Sequence, residues 1–259
     1  MKKKIILELE KDILDILKIL QSKSEKSYIV GGYIRDKFLN LKPHDCDFCT
    51  NLSLEDIFSL FSEKKDFEIK IISENLNIVQ LKYNKKKFEI ARLREDLKYY
   101  DTRKNFDFSF IEDIEKDLLR RDFSINALAY DGENIYYLEK SFEDLQAKKL
   151  SFIGNPDDRI KEDPFRILRF FRFYSEKFIR IYDKKTFESI EKNKNLIWTL
   201  HKEMIKSELI KIIKGDNYIE AFRLINKINL LNRTFILGEY KEKYKERVLQ
   251  LFDNNVVEI

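Results

Sequence analysis

The sequence predicts an α+β head with a small mixed sheet and flanking helices, followed by an all-helical remainder. Three features carry that prediction. Short apolar runs bounded by turn residues alternate with segments of helical period over residues 1–145. From about Ile160 the period becomes helical and stays so through Ile213. Gly215-Asp216 then breaks the pattern before further helical periods at 219–231 and 239–252. The expected organisation is a head at 1–145, a helical neck at 146–214 and a shortened helical body at 215–259.

Taken in order, residues 5–21 repeat Ile, Leu and charged residues at helical spacing. Tyr28-Ile29-Val30 reads as a strand running into the tight turn Gly31-Gly32. A helix is expected over 34–39, a strand over 45–49 and a helix over 54–61. Strands follow at 69–72, 78–83 and 88–91, with Asn84-Lys85 as the turn between the last two. Phe165-Arg166-Ile167-Leu168-Arg169-Phe170 opens the helical remainder. No internal repeat or low-complexity block interrupts the chain.

Composition excludes several classes. With 43% hydrophobic and 37% charged residues, and only 6 Gly and 3 Pro in 259 residues, the chain reads as globular rather than disordered. No apolar run approaches the ~20 residues that span a membrane. The basic start Met1-Lys2-Lys3-Lys4 lacks the apolar core of a secretion signal. Cys46 and Cys49 form a lone C-x-x-C without a second pair, which reads as two reduced thiols in a cytoplasmic protein. The formal charge of +4 is small, but 159–214 carries 15 Lys and Arg against 8 Asp and Glu. That stretch is either a phosphate-tracking surface or a solvated helix face.

Chemistry concentrates first in Gly31-Gly32-Tyr33-Ile34-Arg35-Asp36 followed by Asp45-Cys46-Asp47-Phe48. Alternation on a strand turns Asp45 and Asp47 to one face and Cys46 to the other. Adjacent carboxylates repel unless divalent cations lie between them. Mg²⁺ takes oxygen ligands, and two such ions can clamp the attacking and leaving oxygens of phosphoryl transfer. Paired glycines let a backbone approach a triphosphate.

The stretch Val30–Thr50 resembles the signature of the DNA polymerase β-type nucleotidyltransferases, and within them the class II CCA-adding enzymes (tRNA nucleotidyltransferases) and bacterial poly(A) polymerases. Asp117-Leu118-Leu119-Arg120-Arg121-Asp122-Phe123-Ser124-Ile125-Asn126-Ala127-Leu128-Ala129-Tyr130 resembles the family's ribose- and triphosphate-binding motif. Glu162-Asp163-Pro164-Phe165-Arg166-Ile167-Leu168-Arg169-Phe170-Phe171-Arg172-Phe173 is similar to its nucleotide-selecting motif. The resemblance implies metal ligation and catalysis by Asp45 and Asp47, with Glu89 as a third acidic residue that tunes the metals or helps deprotonate the RNA 3′-hydroxyl. It implies nucleotide binding by Gly31, Gly32, Arg35, Asp36, Arg121, Asp122, Asn126, Asp163, Arg166, Arg169 and Arg172.

Physical readings accompany these residues. Arg121 can fork onto phosphate oxygens and Asn126 can hydrogen-bond a ribose hydroxyl, while Arg120, Arg121 and Asp122 could equally form a surface ion-pair cluster. Asp163 and Arg166, three apart on a helix, share one face. A carboxylate beside a guanidinium matches the donor-beside-acceptor edge of cytosine and adenine and mismatches uracil and guanine. The alternative is an acidic helix start, Glu162-Asp163, with Arg166 as its salt-bridge partner.

Some residues depart from the family pattern. Ala91 and Arg92 replace expected threonines, and Ser73-Glu74-Asn75-Leu76 stands where a Gly-rich turn is usual. Met204 replaces an arginine in His201-Lys202-Glu203-Met204-Ile205, where Glu203 is expected to brace the selecting helix. The region 94–112, with Tyr100, Asp101, Arg103 and Lys104, resembles the loop that switches the enzyme to ATP.

The implied activity is addition of C, C and A to a tRNA 3′ end from CTP and ATP, with Mg²⁺ as cofactor and release of pyrophosphate. The expected partners are the tRNA 3′ end and these nucleotides, with no membrane and no obligatory protein partner. Alternatives are a poly(A) polymerase, an A-adding or CC-adding enzyme, or a non-catalytic RNA-binding relative.

Overall fold

A computed structural model describes residues 1–100, 106–231, 246–247 and 250. They fall into two units, Met1–Tyr100 with Phe106–Leu145, and the residues from Gln146 onward.

In the first unit the strands are β1 (Lys2–Lys4), β2 (Ser27–Val30), β3 (Asp47–Thr50), β4 (Phe67–Ser73), β5 (Ile78–Tyr83), β6 (Lys86–Arg92), β7 (Arg94–Tyr99), β8 (Phe106–Phe110), β9 (Leu128–Tyr130) and β10 (Asn134–Tyr137). Eight of them form one sheet in the order β1-β10-β9-β2-β3-β6-β5-β4. Every pairing is antiparallel except β3 with β6, which makes the sheet mixed at its centre. β7 and β8 form a separate antiparallel hairpin.

Strand alternation sorts this sheet into rows of opposite character. Ile135, Tyr130, Ile29, Phe48, Ile90 and Val79 stand side by side across six strands and are all buried. One residue along each strand, Ala129, Val30, Asp47, Glu89 and Gln80 form the next row on the other face. The apolar row packs in one cluster with Ile13, Ile16, Leu17 and Leu20 of α1 (Lys11–Gln21), and with Ile34 of α2 (Gly32–Phe38) and Ile57 and Phe61 of α3 (Leu54–Phe61). The α1 residues recur at the spacing of one helix stripe, which is why this segment is helical and which face it buries. Ser53 caps α3 in a capping box with Asp56. The unit also contains α4 (Ile114–Leu119), a 3₁₀ turn at Ser124–Asn126 and most of α5 (Glu139–Ala147), whose last two residues fall in the second unit.

The second unit contains α6 (Pro156–Glu162), α7 (Phe165–Tyr174), α8 (Lys184–Asn193), α9 (Lys202–Lys214) and α10 (Tyr218–Lys227), with a 3₁₀ segment at Lys194–Thr199. Ile167, Leu168, Phe170 and Phe171 of α7 are fully buried, as are Ile212 and Ile213 of α9 and Phe222 of α10. Beyond the expected helices it carries one short parallel pair, β11 (Lys149–Leu150) with β12 (Ile181–Tyr182). Gly215 follows α9, where a Cβ would stand 2.5 Å from the Ser175 carbonyl oxygen, so only glycine fits.

Several boundaries differ from the sequence expectation. The first helix begins at Lys11 rather than residue 5, because Lys2–Lys4 pair with β10 at the sheet edge. Asp45 lies ahead of β3, which starts at Asp47. Of the expected helix at 239–252, only Glu246, Arg247 and Gln250 fall among the described residues, and all three are helical. The rest of it, and Asp101, Arg103 and Lys104, lie outside them.

Candidate active site

Gly31 ends β2 with φ +74°, a conformation that side chains rarely adopt, and its amide donates to the Leu128 carbonyl at 2.9 Å. Gly32 then opens α2, and the Gly31 carbonyl accepts from the Arg35 amide at 3.3 Å. A Cβ on Gly31 would meet Arg121 Nη1 at 3.4 Å. The glycine turn and Arg121 are therefore neighbours.

Beside that turn, Asp47 is in register with Val30 of β2 on one side and Glu89 of β6 on the other. Asp45 and Asp47 are exposed while Cys46 between them is buried, the alternation expected of the motif. Asp47 keeps access to solvent, yet protein crowds its carboxyl. Desolvation, the charge on Glu89 and that on Asp45 together push its pKa up to about 6, against the opposing pull of Arg121. Desolvation also raises Glu89. Like charges are thus gathered where the protein provides one nearby guanidinium.

Arg35, Asp36 and Asn126 are all buried and form one cluster. Arg35 Nε donates to Asp36 Oδ1 at 2.8 Å and Nη1 donates to Asn126 Oδ1 at 2.7 Å. Burial raises Asp36, with Arg35 and His44 opposing the shift. Asp122 accepts the Phe123 amide at 2.8 Å. Arg120 and Arg121 do form ion pairs, and both reach the buried Asp117. Burial alone would raise Asp117; the two guanidiniums outweigh it and hold its carboxyl below the usual range.

In the second unit the expected helix face for Asp163 and Arg166 needs correction. Pro164 disfavours helical backbone at the residue before it, and Asp163 is extended, with φ −146° and ψ 96°, between α6 and α7. Its Oδ1 accepts the Phe165 amide at 3.1 Å, at the start of α7. Arg166 is buried and donates through Nη1 to Glu162 Oε2 at 2.8 Å and to the Arg159 carbonyl at 3.0 Å. Glu162 also receives Arg159 at 2.6 Å. Glu162, the last residue of α6, is therefore a salt-bridge partner of Arg166.

Arg169 and Arg172 continue the stripe on α7, both over the Phe173 ring at 5.3 and 5.4 Å. Arg172 also reaches Glu208 of α9 at 3.4 Å. Glu208 is wholly buried whereas Glu203 is exposed, so the brace on α7 comes from Glu208 rather than the expected Glu203.

Residues 27–151 match the family model described as the Poly A polymerase head domain. A CCA-adding enzyme of Streptococcus uberis is 34% identical over 207 residues, 79% of this chain and 50% of the relative. One of Staphylococcus haemolyticus is 33% identical over 218 residues, 84% of this chain and 53% of the relative. Residues 27–151 are thus similar to a poly(A) polymerase head, and most of the chain is similar to CCA-adding enzymes. The chain spans about half the length of the curated relatives it matches. A crystal structure of Bacillus stearothermophilus CCA-adding enzyme in complex with CTP shares the fold, with a TM-score of 0.74 at 24% identity over 93% of this chain and 57% of that one.

The donor set of this head decides whether it suits a metal. Among the described residues no group of three His, Cys, Asp or Glu side chains is gathered closely enough to cage an ion alone. Mg²⁺ is commonly held by one or two carboxylates, with water and substrate phosphates completing its shell. Asp45 and Asp47 fit that pattern, and a cation held there would offset the crowding at Asp47. The thiols do not compete. Cys46 and Cys49 are buried, their pKa values are pushed far up mainly by burial, and three residues apart near one strand they face opposite ways.

Three carboxylates play structural parts that the family resemblance does not assign: Asp117, Glu162, which the alternative reading of the sequence already paired with Arg166, and Glu208. For the first two a signal was available, since Asp117 precedes Arg120 and Arg121 by three and four residues and Glu162 precedes Arg166 by four. Glu208 reaches Arg172 across 36 positions, which no local spacing encodes.

Proposed function

We propose that the chain is a CCA-adding tRNA nucleotidyltransferase, transferring C, C and A from CTP and ATP to a tRNA 3′ end and releasing pyrophosphate. The observation that carries this reading is the row in which Asp47 stands between Val30 and Glu89, beside the Gly31-Gly32 turn and within the field of Arg121. Asp45 and Asp47 would hold Mg²⁺, which supplies charge neutralisation at the transferred phosphoryl group and a more acidic 3′-hydroxyl. Gly31 and Gly32 leave backbone room for the triphosphate, and Arg121 balances its charge. Arg35, held by Asp36, orients the Asn126 amide toward the sugar. Glu89, whose raised pKa favours proton uptake, assists removal of the 3′-hydroxyl proton.

Base choice is assigned to Asp163 and Arg166, which offer an acceptor and a donor. Glu162 and the Arg159 carbonyl fix the Arg166 guanidinium, which limits the base edges it can meet. Arg169 and Arg172 extend the positive stripe. The head at 1–145, neck at 146–214 and body from 215 are the working divisions. No described helix is long and apolar enough to cross a membrane, and two buried reduced thiols fit a cytoplasmic setting.

The test is incubation of the full chain with tRNA lacking CCA, ending in C or ending in CC, and each nucleoside triphosphate separately. The expected result is C on the first two substrates and one A on the third. Long A tracts would favour the poly(A) polymerase alternative. No extension of any tRNA would refute both.

A further inference from the structure

One carboxylate in the head has no part in the proposed chemistry yet touches its machinery. Asp117 on α4 is fully buried. Its Oδ1 accepts Arg120 Nε at 2.9 Å and Nη2 at 2.7 Å, together with the Arg94 amide at 3.3 Å. Its Oδ2 accepts Arg121 Nη2 at 3.1 Å. The Arg120 fork therefore occupies one oxygen and leaves the other to Arg121. That division decides which edge of the Arg121 guanidinium turns toward Gly31.

The same carboxylate anchors the β7–β8 hairpin. Arg94, its first residue, donates its amide to Asp117, and its carbonyl accepts Arg120 Nε at 3.1 Å. Farther along β7, Arg94 Nε and the Tyr99 hydroxyl converge on Asp96, at 3.0 and 2.7 Å. The Arg94 guanidinium also lies 5.7 Å from the Phe106 ring centroid on β8. Hairpin, carboxylate and arginine thus form one connected network, whose end at Arg121 Nη1 approaches the glycine turn.

We propose that Asp117 is the positioning residue that aims Arg121 at the nucleotide phosphates, and that the hairpin acts on the site through it. This rests on the reading that CTP and ATP are substrates. The experiment is calorimetric binding of CTP and of cytidine to the full chain with Mg²⁺, for wild type, Asp117→Asn, Arg121→Lys and the double variant.

Wild type is expected to bind CTP more tightly than cytidine. Asp117→Asn should weaken CTP by about tenfold, as for loss of one hydrogen bond to a charged group, and leave cytidine nearly unchanged. The double variant should bind CTP no more weakly than Arg121→Lys alone, because the two groups act as a unit. Should Asp117→Asn not fold, Arg120→Lys serves instead. It keeps the charge but loses the fork, releasing Arg121 from its assigned oxygen, and is expected to weaken CTP several-fold while sparing cytidine.

Equal losses for CTP and cytidine, or losses that add in the double variant, would overturn the proposal. So would a wild type that does not distinguish the two ligands. A wild type that prefers CTP, responds to Asp117→Asn as expected and yet extends no tRNA would support the positioning role while refuting the proposed reaction.

Discussion

On the sheet of the head, Asp47 stands in register with Glu89 and close to Asp45, and desolvation, with these negative neighbours adding to it, pushes its pKa up to about 6. On α7 of the helical unit, Arg166 rests on Glu162, Arg169 on Phe173, and Arg172 on Phe173 and Glu208. The first arrangement is electrostatically incomplete without a cation. In the second, protein groups partner each cation and hold it in one orientation. Binding a metal needs the former, because a carboxylate already paired inside the protein has less to offer an ion. Reading a flat base edge needs the latter, because selection depends on donors that do not move.

The largest effect that would break this contrast is expected at Asp47. Asp47→Ala should lower nucleotide addition by about 10³-fold or more, the several kcal/mol that a metal supplies, with a metal-free melting temperature at neutral pH that is not lowered and rises if anything, since the raised pKa makes ionised Asp47 destabilising there. Near-native turnover in that variant at saturating Mg²⁺ would remove the carboxylate row from the chemistry. The mirror experiment is Glu208→Ala, which strands Arg172 and empties a wholly buried position. It should cost about 3 kcal/mol of stability, read as a fall in the denaturant midpoint. A stability loss at Asp47 comparable to that at Glu208 would erase the distinction between the regions.

A smaller change should appear in nucleotide choice. Asp163→Ala is expected to improve competition by UTP or GTP by about one to two powers of ten, measured as single-nucleotide incorporation with all four triphosphates. Glu162→Gln, which loosens Arg166 without altering Asp163, should shift the same ratios in the same direction but less. Proportional loss for every nucleotide in both variants would make the group structural.

The smallest expected effect concerns protons. Asp47 is protonated below about 6, and a metal requires the carboxylate, so Mg²⁺ affinity of the nucleotide-free chain should fall as pH drops through that value. Glu89 is the largest charge contribution raising Asp47, so Glu89→Gln should move the fall to lower pH. Carboxyl carbon resonances followed by NMR titration provide the check. An unmoved or higher Asp47 midpoint in Glu89→Gln would place the two groups out of electrostatic contact.

Local pattern foretold what local forces determine. The helix at 54–61 and the strand at 78–83 have the boundaries read from sequence, the first fixed by its capping box and the second by the Asn84-Lys85 turn, where both residues have positive φ. β1 was illegible because Lys2-Lys3-Lys4 has no strand pattern; its conformation comes from pairing with Asn134–Tyr136. Leu128-Ala129-Tyr130 is too short to show a period and is a strand because β2 and β10 lie on either side. At the candidate site, the glycine turn and the alternation around Cys46 could be read directly. The break at Asp163 could also have been read, from Pro164, but the helical period after it obscured the signal. The Arg172–Glu208 brace could not, since it depends on tertiary packing.

The adjacent rows of the sheet have a consequence for how this sequence can change over generations. Phe48 belongs to the buried row and Asp47 to the acidic one, and the same one-step offset separates Ile90 from Glu89. Removing a single codon within β3 or β6 would exchange the rows, driving a carboxylate inward and a large apolar side chain outward. Removing two would shorten the strand but preserve its phase. Tolerance to in-frame deletion along these strands should therefore oscillate with a two-residue beat, a constraint that substitutions at the individual positions would not reveal.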